Sequence, residues 1–239
     1  KKTNGMFDAT VFDLLSLWGF GPNPKSGIPE KKNIDSILTL TGYENIICTN
    51  GSLMKKNQRA KLDLNAIAKG YGVDVVFDFL RSMGFKNIFV EIGGEVRFSG
   101  YNIRNKNWSV GLENPPSNQL EKQIPFFGVL KMDEYAIATS ANYRNFVDLD
   151  GTILGHTINP KSGFPIQSDV LSVTVISKTC IEADGWATAL MTMSYKEGVS
   201  LLSGNDSVNA IWLMKGADGL RHITMEGDLN IIDHIYDIR

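Results

Sequence analysis

Apolar residues recur at every fourth position from Ile67 through Tyr71, Val75 and Phe79 to Met83, and Val76 and Leu80 widen the stripe. That period predicts an amphipathic helix over 66–83, with Gly84 placed as its C-terminal cap. A second major helix is expected over 180–193. Shorter helices are expected over about 34–41, closed by Gly42, and over about 196–203. Short apolar, β-branched runs bounded by turn residues predict strands at 46–49, 87–92, 95–99, 108–112, 126–132, 135–139, 145–149, 152–158, 170–177, 208–214, 221–225 and 230–236. Asn50-Gly51 and Asp150-Gly151 read as hairpin turns, and Gly93-Gly94 as a tight turn that glycine's positive φ explains without a ligand. The stretches 21–29 and 113–124 are polar and contain proline, as loops do. Helices and strands mix without strict alternation and without an internal repeat, so the expected class is α+β, with mostly antiparallel sheets and packed helices.

A chain of 239 residues and 26.4 kDa buries a sizeable core, as one large domain or two small ones. The net charge of −2 and pI of about 6.0 provide no global basic field, which argues against a nucleic-acid binder and leaves room for a local basic pocket. Cys48 and Cys180 are too few and too far apart for a disulfide framework and read as buried thiols. With three histidines beside them (His156, His222 and His234), a zinc site of the usual ligand count is not expected. No apolar run reaches the ~18–20 residues of a membrane-spanning helix. The chain starts at Lys1 without a methionine and enters a patterned segment by Met6, so a preceding N-terminal portion, able to carry a targeting signal, is expected.

Three separated segments concentrate candidate chemistry. Asp184 and Thr188 stand four apart in the second major helix, so a carboxylate and a hydroxyl share one face. They suit a hard cation such as Mg²⁺, or they are polar positions favoured by the helix dipole and by back-bonding to a carbonyl. Asp63 and Lys69 flank the start of the long helix, where main-chain amides and a lysine can hold phosphate, or where a cap and a solvated side chain suffice. His156 precedes the turn Asn159-Pro160-Lys161-Ser162-Gly163. It is either structural or a general base placed on a loop. Arg144 reads as a surface side chain.

Taken in order, the motifs resemble one family. Phe7-Asp8-Ala9-Thr10-Val11 with Leu17-Trp18-Gly19-Phe20-Gly21 comes first, then Asp63-Leu64-Asn65-Ala66-Ile67-Ala68-Lys69-Gly70-Tyr71-Gly72-Val73-Asp74, Glu91-Ile92-Gly93-Gly94-Glu95-Val96 and Ala138-Thr139-Ser140. Gly155-His156-Thr157-Ile158-Asn159-Pro160-Lys161-Ser162-Gly163-Phe164-Pro165 follows, and last Ser172-Val173-Thr174-Val175 with Glu182-Ala183-Asp184-Gly185-Trp186-Ala187-Thr188. The chain resembles ApbE-type FAD:protein FMN transferases over nearly its whole length. The resemblance implies one catalytic domain over 1–239 with a T-fold-related architecture, lacking the family's N-terminal portion. It implies Mg²⁺-dependent cleavage of FAD, with FMN passed to a Thr or Ser hydroxyl of a flavoprotein and AMP released. Hydrolysis of FAD to FMN and AMP, or FAD binding without turnover, are the alternatives. By motif position the metal falls to Asp184, Thr188 and the Ala66 carbonyl, with Ala187 adjacent. FAD falls to Met6, Phe7, Asp8, Asp63, Lys69 and Ile158, and the general base is His156. The implied acceptor is a subunit of an extracytoplasmic or membrane redox complex. The implied location is the periplasmic face of a bacterial cell envelope, on a lipid anchor. Asn159, Ala141 and Asn65 depart from the family's usual Asp, Gly and small residue.

Overall fold

The computed structural model describes the chain apart from residues 22–26, 116–125, 143–145, 150–151, 217–220, 228–231 and 236–239. In chain order the elements are α1 (Phe12–Leu17), α2 (Lys31–Leu38), a 3-10 turn (Tyr43–Asn45), β1 (Ile46–Thr49), β2 (Ser52–Lys55), α3 (Asn65–Ser82), β3 (Ile88–Ile92), β4 (Glu95–Ser99), β5 (Trp108–Glu113), β6 (Phe126–Met132), β7 (Glu134–Ala141), β8 (Phe146–Leu149), β9 (Thr152–Gly155), β10 (Val170–Ser177), α4 (Cys180–Met191), α5 (Tyr195–Leu202), β11 (Asn209–Lys215), β12 (Arg221–Glu226) and β13 (Ile232–Ile235). They form two compact units that interleave in sequence. The first comprises Lys1–Ala66, Ala141–Ser168 and Thr188–Leu201; the second comprises Ile67–Ser140, Asp169–Ala187 and Leu202–Arg239.

The second unit is built on a six-stranded sheet in the order β12-β11-β10-β7-β4-β3. One face packs Val96, Phe98, Ile137, Ile176, Ile211 and Leu213 against Leu112, Phe127, Leu130 and Met132 of the three-stranded sheet β13-β6-β5. The other face carries Ile88 and Val90, which pack with Val73 and Phe77 of α3, Ala136 and Cys180. Two-residue turns set the hairpin registers. Asn50 and Gly51 (φ 51° and 73°) join Thr49↔Ser52, and Gly93 and Gly94 (φ 60° and 99°) join Ile92↔Glu95.

The helical face of α3 differs from the one the apolar period predicts. Gly70, Val73, Asp74 and Phe77 are buried, whereas Tyr71, Val75, Phe79 and Met83 are 60%, 48%, 60% and 59% exposed. The reason lies in β4, all five residues of which are buried. Its alternate positions Glu95, Arg97 and Ser99 pair with Ile92, Val90 and Ile88, so they share the helix-facing side of the sheet. Buried charges need partners, and α3 turns inward the face that carries Asp74 between Val73 and Phe77. Arg97 Nη1 donates to Asp74 Oδ1 at 2.7 Å and to Asp78 Oδ1 at 3.2 Å, and its guanidinium lies 4.3 Å from the centre of the Phe77 ring.

Asp74 also accepts the main-chain amides of Cys180 and Ile181, each at 2.9 Å, and so caps the start of α4 from another helix. A Cβ at Gly70 would lie 2.5 Å from the Cys180 carbonyl oxygen and 2.9 Å from Asp184 Cβ, so α3 and α4 meet backbone to backbone.

In the first unit Leu14, Leu17, Trp18, Ile34, Leu154 and Ile158 form the core. Trp18 Nε1 donates to the Gly163 carbonyl at 2.7 Å and pins the Asn159–Gly163 turn. Gly163 has φ 74°, and a Cβ there would lie 2.6 Å from Ile34 Cγ2. Several boundaries differ from expectation. The 12–17 segment is a helix because its crowded apolar residues pack Leu14 and Leu17 into this core. Helix α2 begins at Lys31 rather than near Ile34, and strand β9 ends at Gly155. Ile158 keeps a single bridge to Pro165 because the chain turns away at Asn159. Cys48 is exposed, since its β1–β2 hairpin is a two-stranded sheet, while Cys180 is buried. Asp150-Gly151, Tyr143, Arg144 and most of the 113–124 loop lie outside the described residues.

Gly70→Ala is expected to lower stability by about 1–3 kcal/mol in thermal unfolding, because the new methyl meets rigid backbone. Gly72→Ala is the control. Its Cβ would meet only the flexible end of Ile92 at 3.4 Å, so it should be neutral or stabilise by up to ~1 kcal/mol through helix propensity.

Candidate functional site

In the second unit, Asp184 stands in the second turn of α4 and is 4% exposed. The Gly70 amide donates to its Oδ2 at 3.0 Å, and among the described residues this is its one hydrogen bond. Burial pushes its carboxyl up to about 6 from an ordinary 3.8, and the nearby charge of Glu95 pushes the same way; the Gly70 amide and the Lys69 ammonium oppose the shift. Lys69 lies on the first turns of α3, with Nζ 2.5 Å from Glu95 Oε1. Its stem crosses Gly93, where a Cβ would lie 3.1 Å from Lys69 Cδ. Ala187, also on α4, is fully buried. Burial also pushes the Cys180 thiol up, which leaves it a packing residue.

In the first unit, the Met6 carbonyl accepts from Thr192 Oγ1 at 3.1 Å, and the Phe7 amide donates to Thr3 Oγ1 at 3.0 Å. The buried Asp8 carboxylate is already engaged. Oδ1 accepts from the Thr10 amide and hydroxyl at 2.8 and 2.6 Å, and Oδ2 from the Tyr43 amide at 2.7 Å. Asp63 joins this segment, its amide donating to the Ala9 carbonyl at 2.7 Å. Asp63 Oδ1 accepts from the Asn65 amide at 2.8 Å and so opens α3, with Ala66 as the helix's second residue. Ile158 is 5% exposed in the apolar core.

His156 follows β9 directly and is half-buried, with its ring edge-on to Phe20 at 6.3 Å between centres. Asn142 flanks it, accepting from Thr157 Oγ1 at 2.6 Å and lying 3.1 Å from where a Gly155 Cβ would be. Asn159 shapes the next turn by accepting the Lys161 and Ser162 amides at 2.9 and 3.1 Å. Its Nδ2 donates to the Thr192 carbonyl at 3.3 Å, which an aspartate could not do. Helix α4 is continuous from Cys180 to Met191, so the four-residue spacing of Asp184 and Thr188 is a full helical turn.

The structure thus gathers Lys69 with Asp184, and Met6, Phe7, Asp8 and Asp63 with one another, each group within its own unit. Glu95 and Asp74 belong to the first of these groups and were not anticipated. Their signal was charged residues at alternate positions of a short strand, Glu95 and Arg97, with a matching Asp74 on a helix.

Mixed helices and antiparallel sheets with buried acidic and basic groups define an α+β protein with a polar centre. The chain matches the ApbE family over residues 1–212 and belongs to that family. It is 39% identical over 220 residues to the FAD:protein FMN transferase of Vibrio cholerae, covering 92% of this chain and 64% of that protein. It is 34% identical over 197 residues to the FAD:protein FMN transferase of Escherichia coli, covering 80% and 55%. Among solved structures, the flavin transferase ApbE of Vibrio cholerae superposes with a TM-score of 0.83 at 35% identity, covering 97% of this chain and 72% of that one. An ApbE protein of Thermotoga maritima gives 0.78 at 29% identity, covering 95% and 71%. The chain therefore spans less than two thirds of the length of these two curated relatives.

A raised carboxylate pKa means the folded state binds the proton more tightly than the unfolded state. The Asp184 charge therefore costs stability progressively as pH rises from 3.8 to about 6, and fully above that. At 1.36 kcal/mol per unit the cost is roughly 3 kcal/mol. Asp184→Asn keeps an acceptor for Gly70 without the charge. In metal-free buffer it should melt higher than the parent protein at pH 7–8, and the gap should close toward pH 4.

Proposed function

We propose that this protein transfers FMN from FAD to a Thr or Ser hydroxyl of a target flavoprotein and releases AMP. Family membership and the names of the relatives support the reading. The observation that carries it is the buried Asp184 carboxylate beside the N-terminal turns of α3, with Lys69 adjacent. A buried carboxylate with a raised pKa fits a hard divalent cation, because the cation returns the countercharge that burial removes. Asp184, Thr188 and the Ala66 carbonyl are the proposed ligands for Mg²⁺, with Ala187 adjacent. When bound, Mg²⁺ would neutralise the pyrophosphate.

The remaining roles fall to the protein's own groups. His156 takes the proton from the acceptor hydroxyl. The hydroxyl oxygen bonds to the phosphorus that carries FMN, the P–O bond to the AMP phosphate breaks, and AMP departs. Lys69 holds phosphate charge, and Met6, Phe7, Asp63 and Ile158 contact FAD. Asp8 contacts FAD as well, with its carboxylate held in place by Thr10 and Tyr43. The proposed acceptor is a subunit of an extracytoplasmic or membrane redox complex. The proposed location, from the family resemblance, is the periplasmic face of the bacterial envelope, with a lipid anchor on the full-length protein.

The test is incubation with FAD, Mg²⁺ and a peptide bearing the target Thr, read by chromatography and mass. Flavinylated peptide with AMP is the expected result. FMN and AMP regardless of peptide would replace transfer by hydrolysis, and intact FAD would leave a binding protein. His156→Ala should slow transfer by about 10²–10⁴-fold, the range for a lost general base.

A further inference from the structure

Lys69 raises a question that the proposed reaction leaves open: what aims a lysine whose side chain is 46% exposed? A lysine head on a four-carbon stem has many rotamers, and holding one of them has an entropic cost. The structure supplies two restraints. The stem runs over Gly93, where any larger residue would displace it, since a Cβ would lie 3.1 Å from Lys69 Cδ. The ammonium lies 2.5 Å from Glu95 Oε1.

The pair is asymmetric. The Glu95 side chain is 2% exposed and anchored in the sheet. Its register is set by the β3–β4 hairpin at Ile92↔Glu95, and that of its neighbour by Val96↔Ile137 on β7. A buried carboxylate in this position requires a cation. The anion is therefore the fixed half of the pair and the lysine the adaptable half. One of the three ammonium protons serves Glu95, and the ammonium has two more donors to offer.

We propose that Glu95 is a positioning residue: it holds the Lys69 ammonium at the place where the phosphate of FAD is bound. On this view Gly93-Gly94-Glu95 is more than a hairpin turn. The two glycines make the turn and clear a path for the lysine stem, and the glutamate after them fixes its head. The inference rests on the proposed role of Lys69 in holding FAD.

A double-mutant cycle on FAD binding, followed by flavin fluorescence, separates this from a purely structural ion pair. Lys69→Met should weaken FAD binding on the order of tenfold or more, the scale of a charged hydrogen bond. Glu95→Gln, which keeps the shape and an acceptor, should also weaken it. With FAD binding measured in metal-free buffer, so that the Glu95 charge on Asp184 does not enter through a bound cation, the double variant should be no weaker than Lys69→Met within about twofold, because Glu95 then reaches FAD through Lys69. Losses that multiply in the double variant, or unaltered binding in Glu95→Gln alone, would overturn the inference. Unaltered binding in Lys69→Met would overturn the Lys69 contact itself. Should Glu95→Gln not fold, Glu95→Asp keeps the charge and withdraws it by one methylene. It too should weaken FAD binding, and full affinity there would count as refutation.

Discussion

One carboxylate joins the elements on which the second unit's candidate site depends. Asp74 projects from α3 and receives Arg97 from β4 and two amides from the first turn of α4. A helix terminus would otherwise leave those amides without intrahelical partners. Meeting them from another helix fixes the rotation and height of α4. Gly70, one turn before Asp74 on α3, then reaches Asp184, one turn beyond Cys180 on α4. Each contact is a few ångströms long, and together they convert two helices and a strand into a rigid frame around a charged centre.

Such a frame is costly in a way an apolar core is not. Buried ion pairs return little net stability relative to well-packed hydrocarbon, yet removing one partner leaves an uncompensated charge. Their arrangement is directional, however. Arg97 is anchored by Asp74, Asp78 and the Phe77 ring together, and one rotation of α3 satisfies all three. An apolar α3 could settle on the sheet in several rotations. Phe77 contributes both aromatic surface to the core and a face for the guanidinium, so packing and charge agree on the same orientation.

Much of this was legible in the residues. Asn50-Gly51 and Gly93-Gly94 marked their hairpins because both turns need positive φ at adjacent positions. Strands β6 and β10 and helices α3 and α4 were evident within a few residues, being apolar runs bounded by turn formers or capped segments. The buried face of α3 was not. Counting apolar residues presumes an apolar partner, and the polarity of β4 overrides that presumption from more than twenty residues away. The candidate site divides the same way. The four-residue spacing of Asp184 and Thr188 is a local property of a helix and could be read. The Gly70 amide that binds Asp184 lies 114 positions away, and Glu95 lies 26 from Lys69. Contacts of that range leave no period in a sequence.

The outward stripe of α3 bears on the thermodynamics of the fold. Tyr71, Val75, Phe79 and Met83 are already about half hydrated in the native chain, so unfolding newly wets only about half of their surface. The heat-capacity increment of unfolding arises from newly wetted apolar area, at ~12–15 cal/mol/K per residue for ordinary domains. These four side chains add only about half of what their size would allow. The temperature curve of stability is thus flatter than the apolar content of α3 would suggest, and its curvature comes from the sheet faces and the small buried side of the helix.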